Sequence, residues 1–258
     1  MTATTSAPAV RDVTSDPLLR TENLSAGYGH LAAVRDLNMQ IHEGEIVALL
    51  APNGGGKTTI LMTLAGWLPP LEGDVVWRGV STRAPLFKRA RLGISLVTDA
   101  RSVFMGLSVG ANLKVGRGSR ERALELFPEL KPLVKRRAGL LSGGEQKMLA
   151  LAMGLSSDPK LLLVDELSLG LAPLVVHRLL RALDEARQSG VAVILVEQQL
   201  QKALQIADRG YVLRRGRVAL EGPTSELQGR IDELRSHYIN RSGVSPASDY
   251  DAPGRIDF

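Results

Sequence analysis

Five consecutive apolar residues, Ile46-Val-Ala-Leu-Leu50, run directly into Ala51-Pro-Asn-Gly-Gly-Gly-Lys-Thr58. A short unbroken apolar run reads as a strand buried on both faces, and the mixed-face stretch over 58–68 reads as a helix. Strand, glycine loop and helix in that order turn backbone N–H groups and the positive end of a helix dipole onto one point, which is a cradle for phosphate. Lys57 is placed to reach β- and γ-phosphates, and Thr58 to offer its hydroxyl to Mg²⁺. Asn53, Gly54, Gly55, Gly56 and Thr59 complete the candidate nucleotide loop. The leading position holds Ala51 instead of the usual glycine, which the loop tolerates if φ there is negative.

A second apolar run, Leu161-Leu-Leu-Val164, ends in the pair Asp165-Glu166. A carboxylate at the carboxyl end of a buried strand can hold Mg²⁺ directly or through water, so Asp165 is a candidate metal ligand. Glu166 can orient an attacking water or accept its proton. The same pair also reads as an ordinary acidic strand end that caps the next helix. Upstream, Leu141-Ser-Gly-Gly-Glu-Gln146 precedes a helix expected over 145–156. Ser142, Gly143 and Gly144 bring a hydroxyl, amides and a helix dipole toward one anion. Ser142 and Glu145 also make a capping box, and both readings hold together.

These runs, with a third at Val191-Ala-Val-Ile-Leu-Val196, alternate with helical stretches over 58–68, 145–156, 175–188 and 201–207. Alternation of this kind makes the chain α/β, with ligands at the carboxyl ends of a parallel sheet. Residues 18–41 alternate apolar and polar around Gly27-Tyr-Gly29 and read as an antiparallel hairpin. A basic, more helical block covers about 100–154. Residues 1–17 and 241–258 are polar and unpatterned and read as flexible tails, which leaves 18–240 as the folded unit. No repeat of solenoid or propeller period is visible.

Composition narrows the class. The chain has 258 residues, 44% hydrophobic, with a formal charge of +5 and no cysteine. Its mean hydropathy of +0.02 fits a soluble protein, and no apolar run approaches the roughly 20 residues of a membrane span. The start lacks the basic and apolar regions of a signal peptide, and the absence of cysteine excludes a disulfide scaffold. Basic stretches around Arg83, Lys88, Arg89, Arg91 and Arg101, and around Lys131 to Arg137, read first as solvated faces. Lipid head groups and nucleic acid are the other partners such charge can serve.

Phosphate loop, Leu-Ser-Gly-Gly-Glu-Gln motif and Asp-Glu strand end, in that order, resemble the ATP-binding cassette family. The resemblance implies a P-loop NTPase (RecA-like) core with an N-terminal antiparallel β-subdomain and an inserted helical subdomain. It implies ATP and Mg²⁺ as cofactors and a head-to-tail dimer, in which Ser142, Gly143 and Gly144 contact ATP held by a second cassette subunit. Tyr28 falls where the family stacks an aromatic ring on adenine. Asp99 falls at the loop that carries Gln, or Glu in one branch, and links the Mg²⁺ site to a membrane partner. Gln198 falls where most members place a histidine that contacts the γ-phosphate. Residues 168–173, Ser-Leu-Gly-Leu-Ala-Pro, match the loop that lines the dimer interface.

Together with Leu-Val-Glu-Gln at 195–198 and Ala-Asp-Arg-Gly-Tyr-Val-Leu at 207–213, these motifs look like the second ATPase of branched-chain amino acid importers, a group that includes urea and amide systems. The implied partners are a second cassette ATPase, identical or different, transmembrane permease subunits and, indirectly, a substrate-binding protein. The implied place is the cytoplasmic face of the membrane, with no nucleic acid. Four departures stand out: Ala51, Asp99, Gln198, and Leu167 where proline usually follows the catalytic carboxylate. They point to a subunit that binds ATP and hydrolyses slowly alone. Two other readings are a cassette ATPase acting on nucleic acid or the ribosome, and a regulatory nucleotide binder without turnover.

Overall fold

The structure, a computed structural model, describes residues 16–98, 102–197 and 200–230, and for 200 and 201 the backbone alone. Strand β1 (Leu19–Tyr28) turns back into β2 (Leu31–Leu37), and β3 (Gln40–Ile41) leads to β4 (Ile46–Leu50) and helix α1 (Lys57–Ala65). Next come β5 (Glu72–Trp77), β6 (Val80–Ser81), α2 (Leu86–Arg91) and β7 (Ile94–Val97). Helices α3 (Val109–Val115), α4 (Arg120–Leu126) and α5 (Gly143–Leu155) follow, with two 3-10 turns before α5. The remainder is β8 (Leu161–Asp165), α6 (Pro173–Gln188), β9 (Ala192–Glu197), α7 (Leu200–Ile206), β10 (Arg209–Arg214), β11 (Arg217–Pro223) and α8 (Thr224–Gly229).

The strands form two sheets. One, ordered β2-β1-β5-β6 with β3 also against β1, is antiparallel. The expected hairpin is its start: Tyr28 pairs with Leu31 and Gly27 with Ala32. Gly27 is needed there, because a Cβ would lie 2.0 Å from the Leu31 carbonyl oxygen. The other sheet runs β11-β10-β4-β9-β8-β7, parallel except for the β10–β11 hairpin.

Every residue of β4, β8 and β9 is buried, as expected of strands covered on both faces. Their side chains alternate between two cores. Ile46, Ala48, Leu50, Leu162 and Val164 pack with α3, α5 and α6. Val47, Leu49, Leu161 and Leu163 pack with α1 and the antiparallel sheet. Burying a side chain of this size stabilises by roughly 1.5–3 kcal/mol, so both layers hold the ends of β4, β8 and β9 in fixed relation.

Helix bounds differ from the pattern reading for local reasons. The helix expected over 58–68 stops at Ala65, because Gly66 takes φ 78° and closes it with bonds to the Met62 and Thr63 carbonyls. Helix α5 starts at Gly143, since Ser142 is its N-cap, and α6 starts at Pro173, the residue type suited to a first helical position. No helix among the described residues is long and apolar enough to cross a membrane.

Candidate functional site

The carboxyl ends of β4 and β8 bring four expected residues together. Thr58 Oγ1 donates to Asp165 Oδ2 at 2.7 Å. Lys57 Nζ donates to the carbonyl oxygens of Ala51 (2.8 Å) and Pro52 (3.2 Å) and lies 3.7 Å from Glu166 Oε1. Burial lowers the Lys57 pKa from the usual lysine range, opposed by the charges of Glu166 and Asp165. Burial raises the Asp165 pKa, opposed by the Thr58 hydrogen bond, while the like charge of Glu166 pushes the same way as burial.

The loop that presents Lys57 has the backbone its sequence calls for. Gly56, the N-cap of α1, sits at φ 88°, and a Cβ there would lie 2.3 Å from the Val34 Cγ2 atom. At Gly55 a Cβ would meet the Ala51 methyl and the Pro52 oxygen, both at 2.8 Å. Ala51 itself does not take positive φ, so its methyl costs no backbone strain. Asn53 and Gly54 are exposed at the tip of the loop, and Thr59 is buried behind it.

The residues here fit Mg²⁺. Asp165 Oδ1 is buried without a hydrogen-bond partner, while Oδ2 takes the Thr58 hydroxyl. One carboxylate and one hydroxyl are hard oxygen donors suited to this cation. The described residues contain no cluster of three or more His, Cys, Asp or Glu able to hold a metal. A cation at Asp165 and Thr58 would therefore complete its shell with phosphate oxygens and water.

Glu166 stands in an unusual backbone conformation, with φ 47°. For a non-glycine residue this costs about 1–2 kcal/mol and persists when the surroundings over-determine it. Its N–H donates to the Val196 carbonyl at 3.0 Å, and its own carbonyl accepts from Lys147 Nζ at 2.9 Å.

Ser142, Gly143 and Gly144 lie at the N-terminus of α5. The capping box is present: the Glu145 N–H donates to Ser142 Oγ, and Glu145 Oε2 accepts from the Ser142 N–H at 2.7 Å and hydroxyl at 2.9 Å. Ser142 and Gly143 are exposed and Gly144 is buried against Val175. Tyr28, at the end of β1, is 57% exposed with its hydroxyl 3.7 Å from Met62 Sδ on α1. Its ring therefore stays open to a ligand. Asp99 and Gln198 lie outside the described residues.

Two participants were not read from the sequence as part of the site. Lys147 is buried on α5 and reaches the Glu166 backbone. Glu197, 2% exposed at the end of β9, takes the Ser168 N–H on Oε1 at 3.0 Å and the Ser168 hydroxyl on Oε2 at 2.9 Å. Burial raises its pKa, opposed by these bonds and by the nearby Leu167 amide. The signal was available for Glu197: like Asp165, it ends an apolar strand run.

Residues 34–168 match the family model described as ABC transporter. The chain is 40% identical over 220 residues, 81% of its length and 94% of the relative's, to the high-affinity branched-chain amino acid transport ATP-binding protein BraG of Pseudomonas aeruginosa. It is 37% identical, over 81% of this chain and 94% of the relative, to the probable branched-chain amino acid transport ATP-binding protein LivF of Archaeoglobus fulgidus. It is also 31% identical, over 81% of this chain and 92% of the relative, to the lipopolysaccharide export system ATP-binding protein LptB of Escherichia coli K12. In fold it is similar to the crystal structure of a nucleotide-free ATP-binding cassette from an ABC transporter, with a TM-score of 0.79, 24% identity, and coverage of 87% of this chain and 99% of that one. Motif order, fold and relatives agree, and the chain belongs to the ABC transporter family as an ATP-binding subunit.

Proposed function

We propose that the chain is the ATP-hydrolysing subunit of an importer for branched-chain amino acids or a related small polar solute. The observation that carries the substrate class is the 40% identity to BraG across 94% of that protein, against 31% to the export subunit LptB. Asp165 and Thr58 would hold Mg²⁺, which neutralises phosphate charge when bound. Lys57 turns from its loop carbonyls to the β- and γ-phosphates, and Glu166 orients the attacking water and takes its proton as the bond from the γ-phosphorus to the bridging oxygen breaks. Asn53 to Thr59 line the phosphates and Tyr28 stacks on the base. Asp99 and Gln198 belong to the same proposal as the Mg²⁺-linked and γ-phosphate-facing residues.

Ser142, Gly143 and Gly144 then serve ATP held by a second cassette subunit, and the assembly docks peripherally on permease subunits at the cytoplasmic face. A solved cassette of similar fold is a dimer bound to ADP and Pi, with a TM-score of 0.70 at 22% identity, which supports the dimeric part of this reading. Residues 18–240 are the cassette and about 100–154 its helical subdomain. Deleting the gene should abolish uptake of radiolabelled leucine, isoleucine or valine, with restoration by the wild-type chain and none by Glu166→Gln. Unchanged uptake of all three would sink the substrate class. The same reading expects slow hydrolysis by the purified chain alone, and an unassisted rate of about 1–10 per second would overturn that part.

A further inference from the structure

Strand β9 lies between the strand that feeds the phosphate loop and the strand that ends in the acidic pair. Its last residue, Glu197, pairs with Leu50, and its neighbour Val196 pairs with Asp165. From that position the Glu197 carboxylate reaches across to the peptides that follow Glu166. It accepts the Ser168 N–H at 3.0 Å and the Ser168 hydroxyl at 2.9 Å. Ser168 is itself 2% exposed, so water does not compete for these bonds.

The segment around Glu166 is thereby tied twice to the end of β9: the Glu166 N–H to Val196, and Ser168 to Glu197. Two donors, one on each oxygen of one carboxylate, fix the position of Ser168 and restrain the segment that follows Glu166 and its left-handed φ. We propose that Glu197 is a positioning residue for hydrolysis, holding the segment after Glu166 so that the Glu166 carboxylate faces the γ-phosphate. The proposal rests on Glu166 as the residue that handles the attacking water. Glu197 touches neither ATP nor that water. Its effect falls on the rate of hydrolysis and not on nucleotide affinity.

The test uses the full-length chain with radiolabelled Mg·ATP, measuring nucleotide affinity by equilibrium binding and the chemical step by single turnover. Glu197→Ala should slow hydrolysis about 10- to 100-fold, the scale of a small misplacement of a reacting group, with affinity changed less than about threefold. Glu197→Gln keeps the shape and an acceptor and should recover most of the rate. Glu197→Asp keeps the charge but shortens the reach, and should be slow even if the alanine variant does not fold. Ser168→Ala should give a smaller loss that does not add to that of Glu197→Ala, as expected of two groups acting through one bond network. A wild-type rate in folded Glu197→Ala and Glu197→Asp chains would overturn the proposal, and so would rate and affinity falling together. If Glu166→Gln hydrolyses normally, the reading of Glu166 falls and takes this proposal with it. An inactive Glu166→Gln beside a fully active Glu197→Ala removes this proposal alone.

Discussion

At the carboxyl ends of β4 and β8, Thr58 and Asp165 are bonded across 107 residues of sequence; at the N-terminus of α5, Ser142 and Glu145 are bonded three residues apart. The first region is held by tertiary structure, with Lys57, Asp165 and Glu197 all buried and their pKa values displaced by that burial. The second is a local motif on an exposed helix end. Buried charges held against one another suit a centre where charge moves during reaction. Exposed Ser142 and Gly143 at a helix N-terminus suit a surface offered to something outside the chain. The difference fits the proposal of two half-sites with different work, one to react and one to complete a neighbour.

The largest expected effect breaks the reacting half alone. Glu166→Gln should lower hydrolysis by about 10²- to 10⁴-fold, the usual weight of a general base, while the chain still retains ATP in equilibrium binding. Undiminished turnover would remove Glu166 from the centre. Lys57→Ala should act at an earlier step, weakening ATP affinity by roughly 10- to 100-fold through loss of a charge-assisted contact. It also deprives Glu166 of the ammonium 3.7 Å away. Equal affinity in variant and wild type would mean that Lys57 keeps its bonds to Ala51 and Pro52 when nucleotide is present.

How far this division was legible follows from the same contrast. Segments of contiguous residues could be read in either half: strand 46–50, the glycine loop and the Ser142–Glu145 box stand as expected. The reacting half was read in part. Asp165 and Glu166 stood out as acids ending an apolar run, but the pairing of β9 between β4 and β8 depends on strand order. Glu197 faces Ser168 from 29 residues away, and no spacing rule predicts that. Nothing in the spacing of Lys147 marks it; only the packing of α5 places its ammonium at the Glu166 carbonyl.

A smaller effect has the opposite sign for stability and activity. Asp165→Asn removes a buried carboxylate with an unpartnered oxygen. A carboxyl with a raised folded pKa contributes stability that is present below its unfolded pKa and lost as pH rises through the folded one. The variant should therefore unfold at a higher temperature than wild type at neutral pH in Mg²⁺-free buffer, by about 0.5–2 kcal/mol. That gap should close toward acid pH, where wild-type Asp165 is protonated. In the same variant Mg·ATP should no longer add thermal stability. A lower melting temperature at neutral pH would show that the carboxylate is better accommodated than its orphaned oxygen indicates.

The smallest effect on the chain's own nucleotide site belongs to Ser142→Ala. Loss of the cap should cost about 0.5–2 kcal/mol of stability, because the Glu145 N–H loses the Ser142 oxygen. On the proposal that Ser142 serves a site on another subunit, ATP affinity of the isolated chain should stay unchanged. Hydrolysis by the assembled pair should fall. Mixing the Ser142→Ala and Glu166→Gln chains then separates two kinds of partner. If the partner is a second copy, the mixed dimer contains one site with both Glu166 and Ser142 intact, and turnover returns although each variant alone is slow. If the partner is a different ATPase, mixing restores nothing, while adding that ATPase restores turnover to the Ser142→Ala chain at the site it still runs. A loss of ATP affinity in the isolated Ser142→Ala chain would break the division into two half-sites, because it would place Ser142 at the same nucleotide as Lys57.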